Sequence, residues 1–433
     1  MEQIIFERVA GLDVHKRTVV ACRRILTKEH LVSEETRTFA TMTQDLLSLS
    51  DWLTEWEVTH VAMESTGEYW KPIYNILEGN FTVFLVNAKH VKHVPARKTD
   101  VKDAEWLAQL MQLGLLNASF IPEKPQRDLR DLTRERKALI RERTRVANRI
   151  QKVLENANIK LASVASDILG VSGRQMLQAL ADGETDVMQM ADLAKGRLRK
   201  KRSELQQALN GRVDAHHRFL LTQHLQHIDF LDSQITAMDQ KIVERIDAMS
   251  QPEEVNDSDD DAGDDSLTWQ KAVELLDTIP GVDQRAAEMI LAEIGIDMSR
   301  FPSANHLAAW AGVAPGNHQS GGKRYSGRTK KGNRTLRSLL TQVAWAAKRT
   351  KNTYLSALYR RIAARRGKKR ATIAVAHAIL VSIYHMLSRQ QEYHDLGADY
   401  FDNRRKESKV DYLTRQLRRL GYQVQLDPLP IAA

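Results

Sequence analysis

Residues 9–24 of this 433-residue chain read VAGLDVHKRTVVACRR, and this stretch decides how the first part folds. Val9–Val14 and Thr18–Arg24 are alternating apolar runs joined by a short polar link, a pattern that predicts a β-hairpin. Outward from the hairpin, periodicity predicts alternating helices and strands, namely a helix at 43–56, a strand at 58–63, a helix at 72–77, a strand at 81–86 and a helix at 101–113. Strands first and then strand–helix alternation indicate a mixed sheet with helices on its faces.

Four acidic residues lie at the ends of these elements. Asp13 stands in GLDVHK and Glu64 in AMESTGEYW, each at the polar end of a strand pattern. Asp100 and Asp103 in KTDVKDAEWLAQL are placed to share one face at the start of a helix. Sites in such sheets lie beyond the carboxyl ends of strands, so we expect the four acids to meet at one edge. A lone acid there would be an ordinary solvated residue, but four favour a common site.

Four carboxylates brought together repel one another unless positive charge lies between them. Oxygen ligands in this arrangement suit Mg²⁺ or Mn²⁺. Paired metals of this kind serve in-line phosphodiester chemistry. The acids therefore predict a magnesium or manganese site that acts on nucleic acid.

The overall composition agrees with a polyanionic partner. The formal net charge is +9 and the isoelectric point is about 9.4. The single cysteine, Cys22, excludes an intramolecular disulfide and is expected to pack in the core. We find no signal peptide and expect no apolar run near the roughly 18 residues of a membrane span. These features predict a cytoplasmic protein.

Charge is distributed unevenly along the chain. Residues 298–391 contain nineteen Lys and Arg and no Asp or Glu, whereas residues 253–265 contain eight acids and no base. A solvated surface normally mixes both signs, so the acid-free stretch predicts a surface that attracts phosphates. The acidic run is typical of a flexible solvated linker, and its alternative role is an internal mimic of nucleic acid.

The middle of the chain has a helical pattern. Apolar residues from Leu129 to Val153 recur at intervals of three, four and seven, which predicts an amphipathic helix or coiled coil. A second helical region at about 196–249 predicts an antiparallel partner or a dimerising arm. Six arginines of the first helix could follow a nucleic-acid backbone or pair with neighbouring Glu, namely Arg134, Arg136, Arg141, Arg143, Arg145 and Arg149.

Two motifs follow the acidic run. LLDTIPGVDQRAAEMILAEIG predicts a helix–hairpin–helix whose glycine turn either binds phosphate or only packs. Farther on, Ser320 precedes Gly321 and Gly322 in a loop rich in Lys and Arg. From spacing alone, a phosphate-binding role for Ser320 is favoured over a nucleophilic one, because no neighbouring base is evident.

These motifs together resemble the DEDD transposases of the "IS one-ten" insertion-sequence family, whose members are recombinases guided by a bridge RNA. GLDVHK, ESTGEYW and RKTDVKDAEWLAQLMQLGLL resemble the RuvC-like, RNase H fold domain of that family. IPGV, AAWAGVAP and SGGKRYSGRTKKGNRTLRSLL resemble its C-terminal transposase domain. The resemblance implies that Asp13, Glu64, Asp100 and Asp103 bind metal, and that Ser320 is the nucleophile that forms a covalent link to DNA.

The resemblance also implies partners and an assembly. Family members act as oligomers, dimers or tetramers, on donor and target DNA, and the serine of one protomer completes the carboxylate site of another. Further nucleic-acid contacts are assigned to Lys16, Lys98, Gly321, Gly322, Lys323, Arg324, Arg328, Lys330, Lys331, Asn333, Arg334 and Arg337.

The expected architecture is multidomain, α/β and then all-α. It comprises a RuvC-like catalytic domain at 1–120, a helical or coiled-coil oligomerisation region at 121–250, an acidic linker at 251–267 and a helical transposase domain at 268–433. The alternatives are a structure-selective, metal-dependent nuclease that uses the four acids alone, and a non-catalytic nucleic-acid scaffold.

Overall fold

The computed structural model of the protein describes residues 4–27, 29, 31–64, 67–86, 100–251, 267–316, 318–404 and 406–425. Only the backbone is described at residues 100–101, 318–320, 324–326, 402 and 406–409. The chain forms two compact units, residues 1–122 and residues 123–433.

The first unit is built on a five-stranded mixed sheet with the order β3-β2-β1-β4-β5. Its strands are β1 (Arg8–Val14), β2 (Thr18–Leu26), β3 (Val32–Ala40), β4 (His60–Glu64) and β5 (Thr82–Val86). The first three strands pair antiparallel, while β1, β4 and β5 pair parallel. The predicted hairpin and the predicted mixed sheet are therefore confirmed.

Helices cover both faces of this sheet. They are α1 (Thr43–Glu55), α2 (Trp70–Leu77) and α3 (Asp100–Gln112). Side chains alternate along each strand, so Leu12 and Met63 belong to the core that also contains residues of α1 and α2. Val9, Cys22 and Ala62 face the other way and pack with α3. Cys22 is a core residue as predicted, and burial raises the pKa of its thiol to about 11.

Strand β3 was not predicted from the sequence. Its residues, VSEETRTFA, are mostly polar, because β3 lies at the edge of the sheet. Glu35 of this strand pairs with Arg23, a buried arginine that also pairs with Glu55. The Arg23 guanidinium lies 4.3 Å from the Trp52 ring centroid and 4.2 Å from that of Trp56. Burial of this cation is tolerated because both carboxylates and both rings compensate its charge.

The position of α3 depends on Gly11. A Cβ atom at this residue would overlap the backbone of Ala104 and Ala108 in α3, so only glycine allows the helix to approach β1 so closely. The backbone N–H of Ile5, which precedes β1, donates to the carbonyl of Gln112 at the far end of α3 (2.9 Å). The helix therefore runs antiparallel to β1, with its N-terminus at the carboxyl edge of the sheet.

The second unit begins with a long helical pair. Its helices up to residue 250 are α4 (Lys124–Asn156), α5 (Leu161–Val164), α6 (Val171–Asp182), α7 (Val187–Asp192), a 3-10 turn (Gly196–Lys201), α8 (Arg202–Leu209) and α9 (Ala215–Ser250). Three ion pairs join α4 to α9, namely Asp128–Arg245, Arg136–Asp239 and Arg143–Asp232. One residue number rises as the other falls, so the two helices are antiparallel, as predicted.

The prediction of one continuous helical region at about 196–249 is wrong. Helical structure is interrupted between α8 and α9. In this interval, a Cβ at Gly211 would overlap the carbonyl oxygen of Ala157. Asp214 then caps α9 by accepting a hydrogen bond from the backbone N–H of His217 (3.0 Å). Packing of Gly211 against the end of α4, followed by a strong N-cap, starts a new helix.

The acidic run of residues 253–265 lies outside the described residues. Its flanks, however, lie close together, because the backbone N–H of Gln270 donates to the hydroxyl of Ser250 (3.0 Å). The end of α9 and the start of the next helix, at Trp269, are therefore in contact, and the chain between them does not have to bridge a gap.

The remaining elements are mostly helical. They are α10 (Trp269–Asp277), α11 (Gln284–Ile294), a 3-10 turn (Met298–Arg300), α12 (Ala304–Trp310), β6 (His318–Ser320), β7 (Lys323–Ser326), α13 (Arg334–Ala347), α14 (Tyr354–Arg366), α15 (Lys368–Arg389), α16 (Tyr400–Asn403) and α17 (Lys406–Arg419). Strands β6 and β7 pair antiparallel. The predicted pair of helices joined at Pro280 and Gly281 is confirmed as α10 and α11.

Helix α15 corrects one expectation about membranes. Within the described part of the chain, it is the one helix long and apolar enough to cross a membrane by length and composition. Half of its apolar window is buried inside the protein. Val375, Ile379 and Ile383 recur every four residues along that buried side. Helix α15 is therefore apolar because one side of it packs in the core of the protein.

Substitution of Gly11 by Ala should destabilise the first unit. The new methyl group would push α3 away from β1, and overpacking of this kind costs about 1–3 kcal/mol or more. The measurement is urea unfolding followed by circular dichroism. Gly79→Ala is the matched control, because a Cβ there meets no atom within 4 Å. Equal stability of the two variants would contradict the close packing of α3.

Candidate functional site

Asp13 and Glu64 end two neighbouring parallel strands. Leu12 of β1 is in register with Met63 of β4, so the acids that follow lie side by side at the carboxyl edge. Asp13 is buried and Glu64 is half-buried. Asp13 lies two residues after Gly11, and Glu64 two after Ala62, both of which face α3. Alternation therefore directs both carboxylates to the α3 side of the sheet.

The other two acids lie at the start of α3. Asp100 is the first residue of this helix and Asp103 is one turn farther along, where its side chain is exposed. Since α3 runs antiparallel to β1, its first turn lies at the edge where β1 and β4 end. The backbone thus brings the ends of two strands and the start of α3 to one edge of the sheet.

The donor chemistry of this edge suits Mg²⁺ or Mn²⁺, because both ions prefer carboxylate oxygen. Among the described side chains, however, no group of three or more His, Cys, Asp or Glu is close enough to hold an ion. The side chain of Asp100 is not among them. Two acids, Asp13 and Glu64, are placed side by side by strand register, and a complete ligand set needs the first turn of α3 as well.

His15 was missed by the sequence analysis. Its Nε2 lies 3.2 Å from Oδ2 of Asp13, and its side chain is partly exposed. The sequence feature that could have identified His15 is its position in GLDVHK, two residues after Asp13. Of the two lysines assigned to this unit, Lys16 is exposed in the β1–β2 turn, and Lys98 lies outside the described residues.

Ser320 lies in a β-hairpin, which corrects the expected loop. It is the last residue of β6, and Gly321 and Gly322 form the turn with φ of +54° and +75°. Two positive φ angles in a two-residue turn match the twist of paired strands, and glycine adopts them without strain. Gly321, Gly322 and Lys323 are all exposed. The serine therefore stands immediately before an exposed hairpin tip.

The base of this hairpin is held by backbone packing. Cβ atoms at Gly312 and Gly332 would each overlap the backbone of the opposite segment, and one at Gly316 would overlap the carbonyl of Arg328. The backbone N–H of Asn333 also donates to the carbonyl of Trp310 (3.0 Å). The two ends of the segment that carries Ser320, near Gly312 and Gly332, are thus packed closely against each other.

A buried carboxylate anchors that point. Glu293, 1% exposed, accepts two hydrogen bonds from Arg134 of α4, from Nε to Oε1 (2.8 Å) and from Nη2 to Oε2 (2.9 Å). Its Oε2 also accepts from Nδ2 of Asn333 (2.6 Å). Arg130 donates to the backbone carbonyls of Ala292 and Glu293, and burial lowers its pKa to about 10. Glu293 therefore links α4, α11 and the residue that begins α13.

This network changes the interpretation of two sequence features. Asn333 was assigned to nucleic acid, but its Oδ1 accepts from the backbone N–H groups of Thr335 and Leu336, and so caps α13. Six arginines of α4 were candidates for contact with a nucleic-acid backbone, and three of these form bidentate pairs within the protein, namely Arg134, Arg136 and Arg143. Their partners are distant in sequence, and neighbouring Glu residues do not supply them.

The Pro280–Gly281 turn has a packing role. A Cβ at Gly281 would overlap the backbone of Ala347 at the end of α13. The φ of Gly281 is +89°, so glycine is required for both its conformation and this contact. Of the two roles that the sequence left open, the contact favours packing over phosphate binding.

The cations around the hairpin form an exposed surface. Its members with exposed side chains are Lys323, Arg328, Lys330, Lys331 and Arg334. Arg337 is half-buried, and Arg324 is described only by its backbone. Because the surrounding tract contains no acid, this surface keeps a positive potential that attracts phosphate groups.

Two family models match the chain at separate regions. A model for DEDD transposases of IS110 elements, described as transposase, matches residues 10–159. A model described as the transposase IS116/IS110/IS902 family matches residues 273–360. The first match includes all four acids, and the second includes Ser320 and the basic surface. The chain belongs to the IS116/IS110/IS902 family of transposases, the insertion-sequence family that the motifs resemble.

Three relatives agree with this assignment over parts of their length. The transposase for insertion sequence element IS1111A of Coxiella burnetii is 36% identical over 124 residues, 27% of this chain and 33% of that protein. A putative transposase, y4rJ, of Sinorhizobium fredii is 29% identical over 272 residues, 61% of this chain and 58% of that protein. The pilin gene-inverting protein of Moraxella bovis is 53% identical over 47 residues, 11% and 14% of the two chains. The matches span less than two thirds of each relative.

Substitution of Glu293 by Ala should destabilise the second unit. Removal of one partner from a buried ion pair leaves the other uncompensated, which costs on the order of 3 kcal/mol. The measurement is urea unfolding. Glu244→Ala is the matched control, because Glu244 forms an exposed pair with Lys241 and its loss should change stability by less than about 0.5 kcal/mol. A similar small effect at both positions would show that the Glu293 network does not anchor the hairpin.

Proposed function

We propose that this protein is the recombinase of an insertion sequence, which cuts and rejoins DNA strands with a serine nucleophile and a carboxylate metal site. The observation that carries the proposal is the convergence of the ends of β1 and β4 and the start of α3 at one sheet edge. Family membership supports it, as does the exposed serine hairpin in a tract without acids. The mixed sheet also supports an RNase H-like fold for the first unit.

Each group has a proposed role. Asp13, Glu64, Asp100 and Asp103 bind Mg²⁺ or Mn²⁺, which supplies a positive charge that stabilises the phosphate as it is attacked. The Ser320 hydroxyl attacks the phosphorus, a bond forms between Oγ and phosphorus, and the bond from phosphorus to the leaving sugar oxygen breaks. The serine proton is lost and the leaving oxygen gains one, so the charges balance.

Rejoining reverses this step on a new strand. A sugar hydroxyl of the new strand attacks the phosphorus of the diester that joins Ser320 to DNA. The bond between phosphorus and the Ser320 Oγ breaks, and the serine regains its proton. One phosphoester replaces another at each stage, so the exchange needs no external energy source. The basic surface holds the phosphates while strands change partners.

The assembly is part of the proposal. The first unit carries the carboxylates and the second carries the serine, and we infer that an oligomer, a dimer or tetramer, combines the serine of one protomer with the carboxylates of another. A guide RNA that pairs with DNA would supply sequence choice, because the phosphate contacts of the basic surface carry no sequence information.

Ser320→Ala should abolish the covalent protein–DNA adduct on donor DNA and lower recombination by about 10³-fold or more. Asp13→Ala should lower both to a similar extent, because the metal would be held poorly. The measurement is adduct formation on a denaturing gel with Mg²⁺ present. Ser326→Ala, in the partner strand of the same hairpin, is the matched control and should keep its activity. An adduct that persists in Ser320→Ala, or cut DNA ends without an adduct in the unmodified protein, would favour simple hydrolysis by the carboxylates.

Salt dependence tests the basic surface separately. Each phosphate contact contributes about −0.9 to the slope of log affinity against log salt for duplex DNA. Lys330→Ala combined with Lys331→Ala should therefore make the slope shallower by up to about 2. Lys241→Ala on the exposed face of α9 is the control and should leave it unchanged. An unchanged slope in the double variant would place Lys330 and Lys331 away from DNA.

A further inference from the structure

One face of α13 carries a row of polar, basic and aromatic side chains. Residues three or four apart share a helix face. This row comprises Arg334, Ser338, Thr341 and Trp345 of α13, and Arg349 two residues beyond the end of the helix. Arg334, Trp345 and Arg349 are exposed. The row begins directly after the basic surface and extends for about 16 Å, at 1.5 Å per residue, to Trp345.

Trp345 is unusual among the residues of this row. Its side chain is 45% exposed, although it belongs to a helix whose other face is a core of Leu and Val. The ammonium group of Lys348 lies 3.3 Å from the centroid of the Trp345 ring and 4.8 Å from that of Tyr359 in α14. These cation–π contacts hold the indole in place and put a positive charge over one face of its ring.

The charged residues that follow Trp345 in the sequence, as far as residue 391, have one sign of charge. Arg349 and Lys351 lie in the turn after α13, Arg360 lies in α14, and all three are exposed. The whole tract from residue 298 to residue 391 contains no carboxylate side chain. An exposed indole among cations provides a flat surface for a base and charges for the neighbouring phosphates.

We propose that this row binds an unpaired stretch of nucleic acid, with one base stacked on Trp345 and the phosphates against Arg334, Lys348 and Arg349. The base must be unpaired, because the faces of bases in a duplex are covered by their neighbours. This inference rests on the proposed function in one respect, that nucleic acid is what the protein acts on. Displaced DNA and single-stranded RNA share the chemistry that the row recognises.

A second copy of the chain is the other candidate for this face. Protein interfaces are enriched in aromatic residues and Arg, but they are depleted in Lys, and their buried centres contain few charged residues. Here one aromatic residue is flanked by cations, and two copies of the same face would bring like charges together. Charge complementarity therefore favours a polyanion.

The test is a binding titration of the full-length protein in EDTA, so that no strand chemistry takes place. The probes are fluorescent oligomers of deoxythymidine and of uridine, and a fully paired DNA duplex. Trp345→Ala should weaken binding of the single strands by about 5- to 140-fold, the equivalent of one stacked base, and leave duplex binding unchanged. Trp345→Tyr should retain most of the affinity. The salt slope should stay constant in both variants, because stacking removes no phosphate contact.

Phe230→Ala is the matched control, since Phe230 is an aromatic residue of α9 with 58% exposure. It should leave all three affinities unchanged. The two single-stranded oligonucleotides are then compared. The one whose binding is weakened more by Trp345→Ala identifies the strand as RNA or DNA. Because binding is measured without metal, failure of the recombination chemistry would leave this result unaffected.

Three results would overturn the inference. One is an equal loss of affinity for duplex and single strands, and another is a shallower salt slope in Trp345→Ala. The third is unchanged nucleic-acid binding together with a change in oligomeric state, measured by light scattering. That last result would assign the face to contact between copies of the chain.

Discussion

The approach of α3 to Gly11 is the constraint on which the candidate carboxylate site depends. Without a side chain at residue 11, the helix backbone lies directly on β1, and its first turn lies at the edge where β1 and β4 end. A larger residue would separate the helix from the sheet and move Asp100 and Asp103 away from Asp13 and Glu64. In the second unit, Glu293 has a comparable role, because it joins α4 to the residue at which the serine segment returns to the fold.

Electrostatics explains why the two kinds of site occupy separate units. In the proposed mechanism, clustered carboxylates would repel the phosphates that they act on, so a metal would neutralise them and another surface would hold the DNA. We propose that the acid-free tract of the second unit provides that surface. Lys323, Arg328, Lys330 and Lys331 of this tract are exposed, whereas Arg134, Arg136 and Arg143 form pairs within the protein. These three arginines thus join α4 to α9 and α11, while the proposed role of the exposed cations is to attract phosphates.

Much of the fold could be predicted from periodicity, because the sheet of the first unit has buried faces and its helices have apolar stripes. Strand β3 could not, since its edge position leaves it polar, and the break at Gly211 depends on contact with Ala157 far away in sequence. The four acids and Ser320 could be named from motifs. The roles of Glu293 and Asn333 could not, because Glu293 contacts Asn333 and Arg134 only in the folded chain. Helix α15 had the composition of a membrane span and the burial of a core helix, which only packing distinguishes.

The most direct test is a structure of the protein assembled on donor and target DNA with Mg²⁺ and the serine adduct trapped. We predict that a metal ion held by Asp13, Glu64 and the first turn of α3 lies within about 4 Å of the phosphorus that is bonded to Ser320. A serine adduct that lies tens of ångströms from every metal-bound carboxylate would contradict it.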